Sequence, residues 1–367
     1  MIVNADARFI PLADGSINCV ITSPPYYGLR DYGTAKWEGG DPDCNHTISM
    51  PTKWNDPKRG YEVLRPEVAN RGGDGTRCHL CGAIRIDQQI GLEQTPDEYV
   101  ANMVAVFREC KRVLKDDGTL WLNIGDSYAS MKSRYNQKAQ NLNGGKAQDN
   151  EFQGNKTDLY HHPELGIKDK DLIGIPWMLA FALRADGWWL RQDIIWAKPN
   201  PMPESVKDRC TKSHEYIFLL SKSARYYYDH EAVKEDAAGG RERFGGAKYG
   251  DKGLDKSRND TARFDETIVS VRNKRDVWTV TTKPYKGAHY ATFPPELITP
   301  CILAGAPEDG IVFDPFVGSG TTVATAVKLG RRGVGLDLSM KYLRENARER
   351  IYQEEMQPVL CTREEVM

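Results

Sequence analysis

The sequence has no apolar run approaching the ~20 residues that cross a bilayer, so no helical membrane span is expected. Its first residues, Met1-Ile2-Val3-Asn4-Ala5-Asp6-Ala7-Arg8, contain no basic stretch leading into an apolar core. No secretory signal is therefore expected, and a cytoplasmic setting with reduced thiols follows. Cysteine is sparse, with 8 in 367 residues, which excludes a disulfide scaffold and leaves packing, metal binding or catalysis as its uses. There is no excess of either charge: 50 basic against 51 acidic side chains, net −1, excludes a uniformly basic surface. No internal repeat is present. With 40% apolar residues, 33 glycines and 20 prolines, the composition excludes collagen, a coiled coil and a mostly disordered chain. At ~150 residues per domain the length predicts roughly two domains.

Several segments alternate between helix and strand patterns. Ser16 to Thr22 reads as a buried strand that stops at Ser23-Pro24-Pro25-Tyr26. Thr95 to Leu114 reads as a helix, with Thr95 as N-cap, Pro96 at the first helical position and Glu98 closing a capping box. Val100, Met103, Val104, Phe107, Cys110 and Leu114 make its expected apolar stripe. After Asp116-Asp117-Gly118, Thr119 to Ile124 reads as a strand. Leu172 to Arg184 reads as a helix, and Trp188 to Trp196 and Glu215 to Leu220 as strands. A last unit runs from Ile311-Val312-Phe313 through a glycine loop into a helix from about Thr321 to Leu329, then the strand Gly333 to Asp337. Such alternation predicts an α/β domain with a mostly parallel sheet.

Asp314-Pro315-Phe316-Val317-Gly318-Ser319-Gly320-Thr321-Thr322 leaves a strand and opens a helix, where glycines allow close backbone approach and the helix start offers unpaired N–H groups. No Gly-Lys-Ser/Thr follows, so it is not a phosphate loop, and the third glycine of the dinucleotide fingerprint is missing. Asp337 ends the next strand, about twenty residues on, where a carboxylate can accept from ribose hydroxyls. An adenosine-bearing cofactor without a pyrophosphate fits this pair; a plain strand-to-helix turn is the alternative. Thr22-Ser23-Pro24-Pro25-Tyr26 likewise stands at the carboxyl end of a strand, where open α/β sheets keep their sites. Ser23 and the Pro24 carbonyl can accept from an amino group, and Tyr26 can stack on a planar ring.

Together these motifs resemble the amino-methylating DNA methyltransferases that use S-adenosylmethionine, in their circularly permuted beta group. In that group the tetrapeptide precedes target recognition and the cofactor loop comes last. Trp196-Ala197-Lys198-Pro199-Asn200 with Pro203, Ser205, Arg209 and His214-Glu215 resembles the family's middle block. Arg275-Asp276-Val277-Trp278 and His289-Tyr290-Ala291-Thr292-Phe293-Pro294-Pro295-Glu296-Leu297 resemble the segment leading into the cofactor loop. Asp6 resembles the acidic residue placed against the cofactor's adenine.

The resemblance implies a circularly permuted Rossmann-like methyltransferase fold and double-stranded DNA as partner. It implies catalysis by Ser23, Pro24, Pro25 and Tyr26 on a flipped-out base. Cofactor binding would fall to Asp6, His289, Phe293, Asp314, Phe316, Gly318, Gly320, Thr321, Thr322 and Asp337. Serine at the first tetrapeptide position favours N4 of cytosine over N6 of adenine. A homodimer and a cognate restriction enzyme are compatible partners. The competing reading from another class is a catalytically silent DNA-binding module. Cytosine carbon methylation would need a cysteine nucleophile, and the chain's Pro300-Cys301 lies upstream of the loop in an apolar segment, as core.

Cys44-x-His46 and Cys78-x-x-Cys81 have the pairing of a structural Zn²⁺ site, with Gly82 after the second pair; His79 could replace His46, and unrelated surface cysteines are the alternative. The expected organisation is a catalytic first part at 1–35, a zinc-binding insertion at 36–90, a catalytic middle part at 91–231 with a polar loop at 131–170, a target-recognition region at 232–275, and a cofactor-binding part at 276–367. Between Arg241 and Asp276 ten basic residues face seven acidic ones, so the near-zero net charge conceals a locally basic segment. Trp188-Trp189 is expected to pack the sheet, Tyr226-Tyr227-Tyr228 to form strand and core, and Lys341 to Arg350 to be a solvated helix face.

Overall fold

The computed structural model describes residues 1–28, 35–46, 52–55, 62–65, 77–87, 89–129, 165–237, 271–282 and 293–356. His289, nearly all of the 131–170 loop and the 238–270 part of the expected recognition region lie outside the described residues.

In chain order the strands and helices are β1 (Ile2–Asn4), β2 (Ile17–Thr22), β3 (Lys36–Glu38), β4 (Thr52–Asn55), β5 (Glu62–Arg65), β6 (Ile84–Ile86), α1 (Pro96–Val113), β7 (Leu114–Ile124), α2 (Ile175–Ala185), β8 (Trp189–Ala197) and β9 (His214–Ser221). There follow β10 (Glu235–Asp236), β11 (Val271–Arg272), β12 (Val277–Thr279), α3 (Pro295–Gly305), β13 (Ile311–Asp314), α4 (Thr321–Lys328), β14 (Arg332–Asp337), α5 (Met340–Tyr342) and, after a π turn, α6 (Arg348–Met356).

Eight strands form one sheet in the order β1-β14-β13-β2-β7-β9-β8-β12. Every neighbouring pair is parallel except those made by β9, which runs against β7 and β8. The first and last strands of the chain interleave in one half of the sheet, β14 and β13 lying between β1 and β2, as a permuted Rossmann-like sheet requires. The expected fold class is therefore observed. β3–β6, β4–β5 and β10–β11 are separate antiparallel pairs.

Helix α1 forms where the sequence places its stop and start signals. The Thr95 side chain accepts from the Glu98 amide and the Glu98 side chain accepts from the Thr95 amide, satisfying two donors that the first turn leaves unpaired. The buried face is Tyr99, Met103, Val106, Phe107, Cys110 and Val113, rotated from the expected stripe, whose Val100 and Val104 are only partly buried. Leu114 belongs to β7, which pairs Leu114 with Ile17 and then Thr119 with Cys19, so the Asp116-Asp117-Gly118 turn is an irregularity inside one strand.

One face of the sheet packs on α1 and α2 through Phe107, Leu120, Leu179 and Phe218, and the other on α3 through Ile21, Trp121, Ile217 and Ile302. Burying each such side chain stabilises the fold by ~1.5–3 kcal/mol. Cys301 is 1% exposed within the second cluster, and burial pushes its thiol well above the usual range, as suits core rather than a nucleophile. Trp188 is buried while Trp189 is exposed. Tyr226-Tyr227-Tyr228 does not form the expected strand; it follows β9 as irregular chain, and Tyr228 stacks on Trp121 with ring centroids 6.3 Å apart.

Candidate active site

The two sequence motifs meet at the carboxyl ends of adjacent parallel strands, β2 and β13. Asp314, the last residue of β13, is 2% exposed and ties them together. One carboxylate oxygen accepts from Thr22 Oγ1 at 2.6 Å and from the Phe316 amide at 3.0 Å; the other accepts from Thr322 Oγ1 at 2.6 Å. Burial raises its pKa to about 6 against the pull of those donors. The side chain is thus spent on holding the loop, the helix start and the strand before Ser23 in one block.

Within the loop, Gly318 and Gly320 have φ of 47° and 82°, a region that a side chain rarely enters. Asp337 at the end of β14 accepts from the Gly318 amide at 3.0 Å and from the Ser339 amide at 2.7 Å, one on each oxygen. A carboxylate has about four acceptor positions, so Asp337 retains capacity for hydroxyl donors. Burial holds its pKa above the ordinary value, opposed by the two amides. Asp6 follows β1, whose Asn4 pairs with Asp337. Burial works against ionisation there, but the hydrogen bonds and charge of Arg8 keep the Asp6 carboxyl below its ordinary value.

Phe316 is partly buried and packs against the first core cluster. Phe293 lies against the α3 cluster on the other face of the sheet, and Thr321 Oγ1 accepts from Arg350 at 2.7 Å. Arg350 thus turns inward, unlike the solvated face expected of it.

At the tetrapeptide, the Tyr99 hydroxyl of α1 donates to the Pro25 carbonyl at 2.9 Å and pins it. The Pro24 carbonyl accepts no hydrogen bond among the described residues. Ser23 Oγ donates to Tyr26 Oη at 3.4 Å, and Tyr26 donates to Glu215 Oε2 at 2.7 Å. Glu215 is ion-paired with Lys198, and Asn123 Nδ2 bridges Glu215 Oε2 and the Tyr216 carbonyl. Burial, with the Glu215 charge beside it, pushes the Tyr26 phenol well above its usual pKa, so it remains a neutral donor. Gly125 makes the close fit: a Cβ there would come within 2.8 Å of Tyr26 Cε2 and 3.4 Å of Glu215. Asp126, next in the chain, accepts from the amides of Gly174 and Ile175 and caps α2.

Glu215 and Lys198 stand in the middle block of the sequence, but nothing there assigns them to Tyr26. They meet because β8 and β9 pair antiparallel, with Ala197 opposite His214, so Lys198 and Glu215 stand at the same sheet end. A signal was available in opposite charges flanking two predicted strands.

The second group stands apart in the insertion. Cys44, His46, Cys78 and Cys81 have their ligand atoms within 4.8 Å of one another. Cys44 Sγ and Cys78 Sγ are 3.9 Å apart, and Cys81 Sγ and His46 Nδ1 3.3 Å. With ligand bonds of ~2.0–2.3 Å, tetrahedral zinc calls for separations of roughly this size. The Cys78–Cys81 turn is closed by the Gly82 amide donating to the Cys78 carbonyl, and the Cys78 amide donates to the Ala83 carbonyl. His46 stacks on Trp37 with centroids 5.0 Å apart. His46 rather than His79 joins the three thiols.

A family model described as DNA methylase, N6_N4_Mtase, matches residues 17–348. Type II methyltransferase M.Cfr9I of Citrobacter freundii is 40% identical over 332 residues, 90% of this chain and 80% of that protein. Type II methyltransferase M.SmaI of Serratia marcescens is 41% identical over 334 residues, 91% of this chain and 84% of that protein. In fold, the chain is similar to PvuII DNA methyltransferase (cytosine-N4-specific), with TM-score 0.51 and 14% identity over 100% of this chain and 89% of the other. It is equally similar to a putative DNA modification methylase of Thermus thermophilus complexed with S-adenosyl-L-methionine, with TM-score 0.51, 18% identity, and 97% and 94% coverage.

Proposed function

The chain belongs to the N6/N4 family of DNA methylases, and from that premise we propose that it transfers a methyl group from S-adenosylmethionine to an exocyclic amino group in double-stranded DNA, N4 of cytosine in preference to N6 of adenine. The observation that carries the reading is the junction of loop and tetrapeptide through Asp314, Thr22 and Thr322 at neighbouring strand ends. Such a crevice at the carboxyl ends of parallel strands is where an open α/β sheet binds its ligands.

Asp337, with acceptor capacity left, is the group for the cofactor's ribose hydroxyls, and the loop from Phe316 to Gly320 supports its remaining contacts; Asp6 stands at the same sheet edge. The cofactor supplies an electrophilic methyl group on sulfur. The protein's part is to bind, orient and exclude water. A base within a duplex cannot present its amino group, so it has to leave the stack. Tyr26 offers the ring face for it, while Ser23 Oγ and the Pro24 carbonyl accept the amino hydrogens. Those bonds raise electron density on nitrogen and aim its lone pair, so the transfer depends on positioning more than on a strong base, and the nitrogen's surplus proton leaves to water after the methyl has moved. Serine, rather than Asp or Asn, at position 23 favours cytosine.

Cys44, His46, Cys78 and Cys81 suit Zn²⁺, which would brace the insertion and take no part in methyl transfer. Three thiols and an imidazole, with no open position, are the donor set of a structural rather than a catalytic zinc. The Type II relatives make a restriction enzyme of the same target sequence a partner to look for.

Incubation with cofactor labelled on the methyl group and duplex DNA, followed by nucleoside mass spectrometry, tests the reading. N4-methylcytosine is expected. N6-methyladenine would reassign the target base, and DNA left unmodified by the wild type as by the Tyr26→Ala control would leave only a binding module.

A further inference from the structure

The reading above leaves the most costly feature of the site without a role: a carboxylate and an ammonium, Glu215 and Lys198, placed 16% and 17% exposed beside the tetrapeptide. Taking two charges out of water is costly, and pairing offsets that cost only where their remaining lone pairs and protons are satisfied. Here they are. One Glu215 oxygen faces Lys198; the other accepts from the Tyr26 hydroxyl at 2.7 Å and from Asn123 at 3.3 Å. Lys198 also lies 4.3 Å over the ring of Trp196. Lys212, whose ammonium donates to the Asp126 carbonyl at 2.8 Å, adds positive charge near Glu215.

All these partners stand on or beside rigid strand ends: Asn123 in β7, Glu215 in β9, Lys198 next after β8. The phenol is therefore tethered to three strands, while the ring edge rests against the backbone of Gly125. A ring that must present one face to a base in a fixed plane can still rotate about its own axis and swing at χ1. The tether at its far tip opposes the swing.

We propose that Glu215, braced by Lys198, is a positioning residue for methyl transfer: through the Tyr26 hydroxyl it fixes the plane of the ring on which the flipped base stacks. The inference rests on the reading that Tyr26 is that stacking surface. It concerns a contact made before and during the reaction, so it bears on the rate of transfer rather than on affinity for cofactor or DNA.

The test is a double-mutant cycle on the full chain, read as single-turnover methylation of duplex DNA with cofactor and DNA affinities measured in parallel. Tyr26→Phe is expected to lower the transfer rate about tenfold, the scale of one hydrogen bond to a charged group, and Glu215→Gln, which keeps a neutral acceptor for the phenol, by a smaller but measurable factor, with both affinities unchanged. The double variant is expected to fall no further than Tyr26→Phe alone, because Tyr26→Phe removes the hydrogen bond that Glu215→Gln only turns from charged to neutral. Glu215→Gln leaves Lys198 without its partner, so the charge-free pair Glu215→Gln with Lys198→Met is measured too and is expected to show the same loss at an unchanged melting temperature. Losses that multiply in the double variant, or a Glu215→Gln enzyme at the wild-type rate, overturn the inference while leaving the functional reading intact. A wild-type chain that methylates nothing overturns that reading and this inference with it.

Discussion

Replacing Asp314 by Asn isolates one buried titration and gives it a sign. The carboxyl is raised from 3.8 to about 6, first by burial and also by the charge of Asp337, against the donors Thr22, Thr322 and the Phe316 amide. At ~1.4 kcal/mol per tenfold, that rise is worth about 3 kcal/mol. A folded-state pKa above the unfolded one means that the folded chain holds the proton more tightly. This contribution to stability is present in full below about pH 4 and is lost as pH rises through about 6. Asn keeps an acceptor for Thr22 and Phe316 and can donate to the Thr322 hydroxyl, so the block stays hydrogen-bonded without the titration. Urea unfolding of both proteins at fixed ionic strength, at pH values from about 4 to 8, measures the difference. Carboxyls such as Asp6 and Glu109, held low by arginines, make stability rise with pH in both proteins and cancel on subtraction. Between about pH 4 and 7 the wild type should lose about 3 kcal/mol relative to Asp314→Asn. Parallel curves would refute the argument, and a wild type gaining stability over that range would reverse its sign.

Gly125→Ala should slow methyl transfer on the order of 10²-fold and lower stability by ~1–3 kcal/mol, because its Cβ would displace the tethered Tyr26 ring; a normal single-turnover rate would count against that geometry. Cys81→Ser should lower bound metal from about one zinc per chain to none, by metal analysis of freshly purified protein, and make residues 36–90 the first site of limited proteolysis. Phe107→Ala, at a fully buried position under the sheet, should cost ~3–5 kcal/mol in urea unfolding, and a loss below ~1 kcal/mol would mean that α1 is not packed there.

Local signals were legible wherever the physics is local. The capping box of α1 depends on residues three apart, and the ends of β2 and β13 are marked by Pro24 and Pro315; both are where the sequence places them. The proposed zinc ligands pair at short spacing and come together in space, and the structure places His46 rather than His79 among the three thiols. Tyr226-Tyr227-Tyr228 misled because aromatic residues favour strands only when a neighbouring strand is there to pair with.

By itself the amino-acid sequence determined the alternation of helix and strand, the two motifs, the cysteine pairs and the family that those motifs resemble, because each is a pattern within a few residues of chain. Only the tertiary structure decided which ends of the sheet meet. The reversal of β9 brings Glu215 and Lys198, from the two ends of a sixteen-residue loop, onto the hydroxyl of Tyr26 far earlier in the chain. The same packing draws Asp314 away from solvent, onto Thr22 and Thr322, and turns Asp126 to the start of α2. Most of these contacts join residues well separated in the chain, Thr22 and Asp314 by 292 positions, and their strength comes from burial that no local pattern specifies.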